Sequence, residues 1–250
     1  MAPTLVNSYL TSITALNLTS LVSTSFTPNV GELIVVKAAT ADAATTVGTP
    51  SASGFTLGTV TSRVNNGVSG SSTKTALFTA SVTASAAGTI TLTVAGSALP
   101  HMMVVERWSS AQLAGSPVVA NTTTDATSPW TTAITTAAAN SVISYICADW
   151  AAVSTAGVAF SGDTATPTQE QTAINVSGQY SVYMLYQAAA SAGSNTIGLS
   201  APSGMTLNTA GIEIQDSGGV AAAPLPALKY RQYPFTYEPH HARAAFGGLG

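Results

Sequence analysis

The chain has 250 residues, of which only 7% are charged, and its formal net charge is −3. Ordinary soluble proteins carry roughly 25% charged residues, so hydroxyl-bearing and small side chains must solvate this surface, or neighbouring molecules must cover it. The weak net charge excludes an electrostatic surface that would attract nucleic acid or an anionic membrane. A single cysteine, Cys147, excludes an internal disulfide and a multi-cysteine metal site, and its apolar neighbours predict a small buried side chain.

The beginning of the chain shows no export or membrane signal. The first twenty residues contain neither a basic segment nor an unbroken apolar one, so we predict no signal peptide and synthesis in a cytoplasm. No apolar run reaches the ~18 residues that a membrane-spanning helix requires, so we expect no membrane insertion. The sequence leaves open whether the first ten residues form a strand or an arm.

Alternation of apolar and hydroxyl-bearing residues runs through the chain. The clearest case is "GTITLTVAG", in which Ile90, Leu92 and Val94 share one face and threonines occupy the other. Other segments are more densely apolar, which is typical of strands in the middle of a sandwich. In chain order these are "GELIVVKAAT", "HMMVVERW", "NSVISYICADW" and "QYSVYMLYQAAA".

Turn-forming clusters of Gly, Pro, Asn and Ser separate these segments, and the alanine-rich stretches are too short and too poorly capped to predict helices. Roughly ten to twelve strands at a spacing near ten residues, with no helices between them, indicate a sandwich or a barrel. We therefore predict an all-β domain over residues 1–216, a Gly/Ala/Pro linker over 217–228 and a C-terminal docking arm over 229–250.

Several segments, in their order along residues 12–216, resemble one known family. They are "STSFTPNVGELIVV", "ASGFTLGTVTS", "TKTALFTASVTASAAGTITLTVAG", "MMVVERW", "NSVISYICADW", "QYSVYMLYQAAASAGSNTIGLSAPSG" and "AGIEIQD". This order resembles the jelly-roll modules on virions of tailed bacteriophages. The resemblance implies a jelly-roll-like antiparallel β-sandwich in the virion, as part of a minor tail protein or a capsid decoration protein. The arm has no counterpart in this pattern.

The sequence offers little catalytic or metal-binding chemistry. It contains no nucleophile elbow, zinc-protease motif, phosphate-binding loop or dinucleotide-binding glycine run. The carboxylates are scattered, "SGDTATPTQE" lacks the alternating acids of a calcium loop, and the adjacent His240 and His241 would point apart in an extended chain. We therefore predict a protein that is not an enzyme, with no catalytic residue, metal or cofactor.

The arm differs from the rest of the chain in being rich in aromatic and charged residues. Its aromatic and arginine residues are typical of the core of a protein interface, and Pro234 and Pro239 favour an extended conformation that loses little entropy on docking. The arm could fold back on its own sandwich or bind a neighbour. We expect it to bind other virion proteins or further copies in a symmetric assembly, through Tyr230, Arg231, Tyr233, Phe235, Tyr237, His240, Arg243 and Phe246.

A carbohydrate-binding module for the host cell surface is the alternative function. Sugar sites on β-sandwiches often use an aromatic platform, and most tryptophans and tyrosines here lie within predicted strands. Trp130 is different, because it follows a loop-like segment and begins a strand. It is the candidate glycan-binding residue.

Overall fold

The computed structural model describes residues 2–13, 19–41, 45–67, 73–95, 101–113, 118–124, 130–149, 159–162, 167–175, 180–201 and 206–218. Within these ranges the chain is all-β, its sheets are antiparallel, and it has no helix. The prediction of an all-β sandwich is confirmed. The first residues form a strand, β1, rather than an arm.

The strands fall into two halves of the chain. The first half contains β1 (Thr4–Ile13), β2 (Ser20–Val22), β3 (Leu33–Thr40), β4 (Thr46–Val47), β5 (Ser51–Ser53), β6 (Thr56–Leu57), β7 (Thr61–Gly67), β8 (Lys74–Ala84), β9 (Thr89–Ala95) and β10 (His101–Ser109). The second half contains β11 (Ala111–Gln112), β12 (Val118–Thr124), β13 (Trp130–Thr136), β14 (Ser141–Asp149), β15 (Ala159–Gly162), β16 (Thr168–Asn175), β17 (Tyr180–Ala189), β18 (Gly193–Ala201) and β19 (Thr206–Asp216).

Each half forms a large and a small sheet, and the strand order is the same in both. The first central sheet has the order β1-β10-β3-β8, with β6 and β7 both beside β8, and the second has β12-β19-β14-β17-β16, with β11 also beside β19. The first outer sheet is β2-β9-β4, with β5 also on β9, and the second is β13-β18-β15. This paired-sheet order is that of a jelly roll, and it occurs twice.

The two sandwiches share a hydrophobic core between their central sheets. Residues such as Val35, Leu77 and Val104 from the first central sheet pack in one cluster with Ile146 and others from the second. Two further cores lie inside the sandwiches, one between the first central and outer sheets and one between the second pair. The described residues therefore stack four sheets around three apolar layers.

Burial on both faces explains the densely apolar segments of the sequence. Every residue of β3 and β14 is buried, and so is every residue of β10 except Ser109, since one face of each strand lies in the shared core and the other in an outer core. In β9, which lies in an outer sheet, only Ile90, Leu92 and Val94 are buried. The predicted division between alternating and continuous apolar strands is thus a division between outer and central sheets.

An approximate two-fold relation connects the halves. Strand β1 contacts β16, and the equivalent pair β12 and β7 are also in contact. Likewise β8 contacts β19, and the equivalent strands β17 and β10 meet where Tyr186 touches Trp108. Reciprocal contacts of this kind are the mark of an isologous interface, here formed inside one chain.

Candidate functional site

Most of the predicted site residues lie outside the described part of the chain. The predicted arm, with Tyr230, Arg231, Tyr233, Phe235, Tyr237, His240, Arg243 and Phe246, falls entirely there. Trp130 is the first residue of β13 and is paired with Leu199 of β18, while its side chain belongs to the undescribed set. The partner-binding and glycan-binding roles therefore stay predictions.

An apolar cleft opens at the end of the shared core. Its volume is about 400 Å³, within the ~300–1,000 Å³ range of ligand pockets. Trp108 and Tyr186 meet in it edge to face, with ring centroids 5.7 Å apart. The remaining lining comes from residues 2–5, 140–142 and 188–190, which are mostly small and apolar. We call this cavity the apolar cleft.

A second cleft is smaller and polar. It has a volume of about 160 Å³ and is lined by Thr59, Thr61, Arg63, Thr79, Ser81, Gln112 and four apolar residues. Arg63 Nε donates a hydrogen bond of 2.9 Å to Thr79 Oγ1, and no hydrogen bond from its Nη atoms is found among the described residues. The hydroxyl groups and the half-buried guanidinium can together bind an anionic or hydroxylated ligand. We call this cavity the polar cleft.

The two clefts occupy equivalent positions in the two halves. Gly31 and Asn140 stand two residues before Leu33 and Val142, and both have positive φ, 86° and 56°. Leu33 lines the polar cleft together with residues 79–81 of β8. Val142 lines the apolar cleft together with residues 186, 188 and 189 of the equivalent strand β17. The two halves, which have the same strand order, therefore contain openings at equivalent positions with different chemistry.

The described chain ends beside these clefts. Ile214 is paired with Val142 of the apolar cleft, and Gln112 of the polar cleft donates from Nε2 to the carbonyl of Asp216 at 2.7 Å. The amide of Ser217 donates to the carbonyl of Ser110 at 3.0 Å. The last described residues, up to Gly218, therefore lie near both openings.

The shared core contains a buried polar network. Lys37 Nζ forms an ion pair with Glu106 and donates to the carbonyl of Tyr145 at 3.4 Å. The Glu106 carboxylate also accepts from Trp108 Nε1 at 2.7 Å and from Ser144 Oγ at 2.9 Å. The network links both central sheets, and Trp108 connects it to the apolar cleft.

Two other carboxylates also have structural partners. Glu32 accepts two hydrogen bonds from Arg107, from Nε at 2.8 Å and from Nη2 at 3.0 Å, and this contact raises the pKa of the Arg107 guanidinium. Glu213 accepts from the backbone amides of residues 137 and 138, each at 2.9 Å, and so fixes the turn before β14. These contacts hold strands and turns together rather than presenting an acid or base to a ligand.

The single cysteine, Cys147, is fully buried in the second outer core. Burial raises the pKa of its thiol far above the ordinary value, and burial likewise raises the pKa of the neighbouring Tyr145 hydroxyl. A thiol in this state is not a reactive thiolate at neutral pH. The prediction that Cys147 is a small buried side chain is confirmed.

Among the residues that the structure describes, no group of three or more His, Cys, Asp and Glu side chains could hold a metal ion. Over the same ranges, no helix is long and apolar enough to cross a membrane.

Sequence reasoning missed the apolar cleft. Trp108 and Tyr186 were expected to be core residues because both lie in strands, and Trp108 is indeed only 1% exposed. Their meeting depends on the packing of β10 against β17, which a single sequence does not specify. The one available signal was the alanine run at the end of β17, where small side chains leave space.

Searches of protein-family models, curated protein sequences and solved structures found no match for this chain.

Proposed function

We propose that this protein is a non-enzymatic structural protein of a bacteriophage particle, attached to neighbouring subunits by its aromatic C-terminal arm. A minor tail protein is the placement we favour, and a capsid decoration protein of the same fold is the alternative. The order of the sequence segments that resemble phage jelly-roll modules supports the proposal. A fold alone does not define a function, and the contacts of the described residues give the proposal its second support.

The observation that carries the proposal is the joining of two jelly-roll sandwiches through one core, with the last described residues at the junction. Jelly rolls are common building blocks of viral particles. Here the buried charges at Lys37, Glu106 and Glu213 serve the joining of sheets and turns. A rigid block with an attached arm suits a part that fills a position in an assembly.

Deletion of residues 219–250 tests the attachment. We expect the truncated protein to keep the all-β circular dichroism of the full chain and to be missing from purified particles, because the arm supplies the contact area. The matched control is the full chain with Ala133→Trp, an exposed substitution on β13, which should be incorporated normally. Incorporation of the truncated protein at the normal level would contradict the proposal.

Antibody labelling of particles distinguishes the two placements. Label on the tail or its tip, seen by electron microscopy, supports a minor tail protein, and label over the head supports a decoration protein. Denaturing gels of the same particles provide the control for a hidden epitope. Absence of the protein from those gels would rule out both placements.

A host-glycan-binding module is the second candidate, and the polar cleft is the observation that favours it. Its hydroxyl groups and Arg63 suit a saccharide that carries a carboxylate. On a panel of neutral and acidic host cell-wall sugars, we expect saturable binding that is lost in Arg63→Gln. Loss on Trp130→Ala instead would place the sugar at the start of β13, and no binding to any sugar would reject this candidate.

A further inference from the structure

The apolar cleft has the features of a site that another chain covers. Two large rings lie in it, Trp108 and Tyr186, and its wall at the end of β17 consists of alanines. Ala188 and Ala190 are exposed in that wall although both are apolar. An apolar groove beside the edge of a sheet commonly accepts aromatic or proline side chains of a partner.

Among the described strands, the one beside the cleft, β1, has a second edge that no strand pairs with. β1 lies at the edge of the first central sheet, and its sequence "TLVNSYLTSI" contains no charge and no proline. Native edge strands are normally protected by such residues. Val6, where the pairing with β10 shifts register, is 43% exposed. An edge without this protection is expected to be covered in the assembled state.

The chain itself contains a segment that fits the cleft. Tyr233, Phe235 and Tyr237 alternate with other residues around Pro234, and aromatic anchors of this kind fill apolar pockets at the centre of interfaces. Charge does not oppose the contact, because none of the described residues that line the cleft is charged.

The place where the described chain ends permits an exchange between copies. Residues 214–218 lie beside the cleft through Ile214 and Ser217. Residues 219–229 then precede Tyr230, and a stretch of this length can span up to roughly 35 Å when extended. In a pair of copies that bring these ends together, each arm can reach the cleft of the other.

From these features we propose that the apolar cleft binds the aromatic arm of a second copy of this chain, so that copies assemble by exchanging arms. This inference rests on the attachment role proposed for the arm and names its partner and acceptor surface. In the assembled state Tyr233, Phe235 or Tyr237 packs against Tyr186 and the exposed Ala188 and Ala190, above the buried Trp108. The unprotected β1 edge lies at the same contact.

Two variants of the full chain separate the arm from the cleft. Ala188→Trp fills the cleft and leaves the arm intact, while Tyr233→Ala/Phe235→Ala/Tyr237→Ala removes the anchors and leaves the cleft open. Ala133→Trp is the matched control, since it too is an exposed strand alanine but lies in the second outer sheet. Circular dichroism checks that each variant is folded.

Sedimentation and light scattering of each protein, across about 1–100 μM, measure association. We expect the wild type and Ala133→Trp to associate, and both test variants to bind at least about 30-fold more weakly, the effect of losing one hot-spot residue. A mixture of the two test variants should recover a dimer, because one supplies an arm and the other a cleft. Recovery in the mixture is specific to an arm that binds the cleft of another copy.

Other outcomes overturn the inference without touching the proposed function. If the arm variant fails to enter particles while Ala188→Trp associates normally, the arm binds elsewhere. If the wild type is a monomer at 100 μM, and Ala188→Trp makes its arm newly sensitive to protease, the arm docks on its own chain. If the wild type is a monomer with no such change, the cleft is not the acceptor at all.

Discussion

Lys37 and Glu106 lie fully buried between two apolar sheets, where an isolated charge would be strongly unfavourable. Burying such a pair contributes little net stability, because the cost of removing both ions from water offsets their attraction. What the pair does supply is a fixed relative position, since Glu106 also accepts from Ser144 of the opposite sheet. We infer that the network sets the register between the two sandwiches.

Replacing only Lys37 should destabilise the fold much more than replacing both Lys37 and Glu106. Lys37→Met leaves the Glu106 carboxylate buried without the Lys37 ammonium, and we expect a loss of about 3–5 kcal/mol in the free energy of unfolding. Lys37→Met with Glu106→Gln should recover most of it, because the amide oxygen still accepts from Trp108 and Ser144. Urea denaturation measures both, and equal stability of the two variants would refute the argument.

Cys147 and Tyr145 make the protein sensitive to alkali. Burial raises both pKa values in the folded chain, so the folded state holds protons that the unfolded chain loses above its own values of about 8.5 and 10. Their contribution to stability is complete below pH ~8.5 and decreases as pH rises from there. Each group lowers the unfolding free energy by about 1.4 kcal/mol per pH unit above its own unfolded value, Cys147 from about pH 8.5 and Tyr145 from about pH 10.

Cys147→Ala isolates one of these groups. The variant should be less stable than the wild type at pH 7, because it leaves a small cavity, but its stability should fall less steeply between pH 8.5 and 10. Chemical denaturation at several pH values measures the two slopes. Parallel slopes would show that Cys147 does not contribute.

At the level of strands and turns, two equivalent central strands, β3 and β14, are each preceded by a residue with positive φ. Gly31 precedes β3 and Asn140 precedes β14. A Cβ on Gly31 would meet no atom within 4 Å, so only the backbone conformation resists a side chain there. Asparagine adopts this conformation more readily than other residues with a side chain.

Gly31→Asn should therefore be nearly neutral in thermal unfolding, while Gly31→Ala should lose about 1–2 kcal/mol. Gly211 provides a contrast, since a Cβ there would lie 2.6 Å from Ile134 Cδ1 and 2.9 Å from Tyr145 Cδ2. We expect Gly211→Ala to lower the stability of the fold because the methyl group has no space, and not because of the backbone conformation. If Gly31→Ala and Gly31→Asn were equally stable, the greater readiness of asparagine to adopt positive φ would not account for the residue at position 140.

Individual strands were readily predicted, and the reason is physical. Alternation at Ile90, Leu92 and Val94 reports burial on one face, and the continuous apolar run of β3 reports burial on two. Very short strands such as β4 and β6 were not separately predicted, because two paired residues within a turn cluster leave no periodic signal. The sequence led us to expect ten to twelve strands, fewer than the structure contains.

At the scale of the whole molecule, the shared core should make the two sandwiches unfold together. Leu92 lies in the first outer core and Leu199 in the second. Leu92→Ala and Leu199→Ala should each reduce the free energy of unfolding by about 2–5 kcal/mol. In both variants the protein should still unfold in one transition, at a lower temperature. Calorimetry checks this, because independent sandwiches would give a second transition in one variant.

The pairing of sandwiches could not be predicted from the sequence. The equivalent strands β3 and β14 read "LIVVKAAT" and "SVISYICAD", which share an apolar character but few identities. The clefts are harder still, since they arise where the ends of distant strands meet. Composition nevertheless pointed toward covered surfaces, because a chain with 7% charged residues has few means of protecting an edge such as β1.

The reciprocal contacts between the halves also determine how a substitution can act on the two clefts. Two identical sandwiches joined face to face would be a homodimer, in which every substitution appears at both related openings at once. Because both sandwiches belong to one chain, a substitution can alter one opening and leave the other unchanged. Tyr186 in the apolar cleft and Thr79 at the equivalent place in the polar cleft are one such difference.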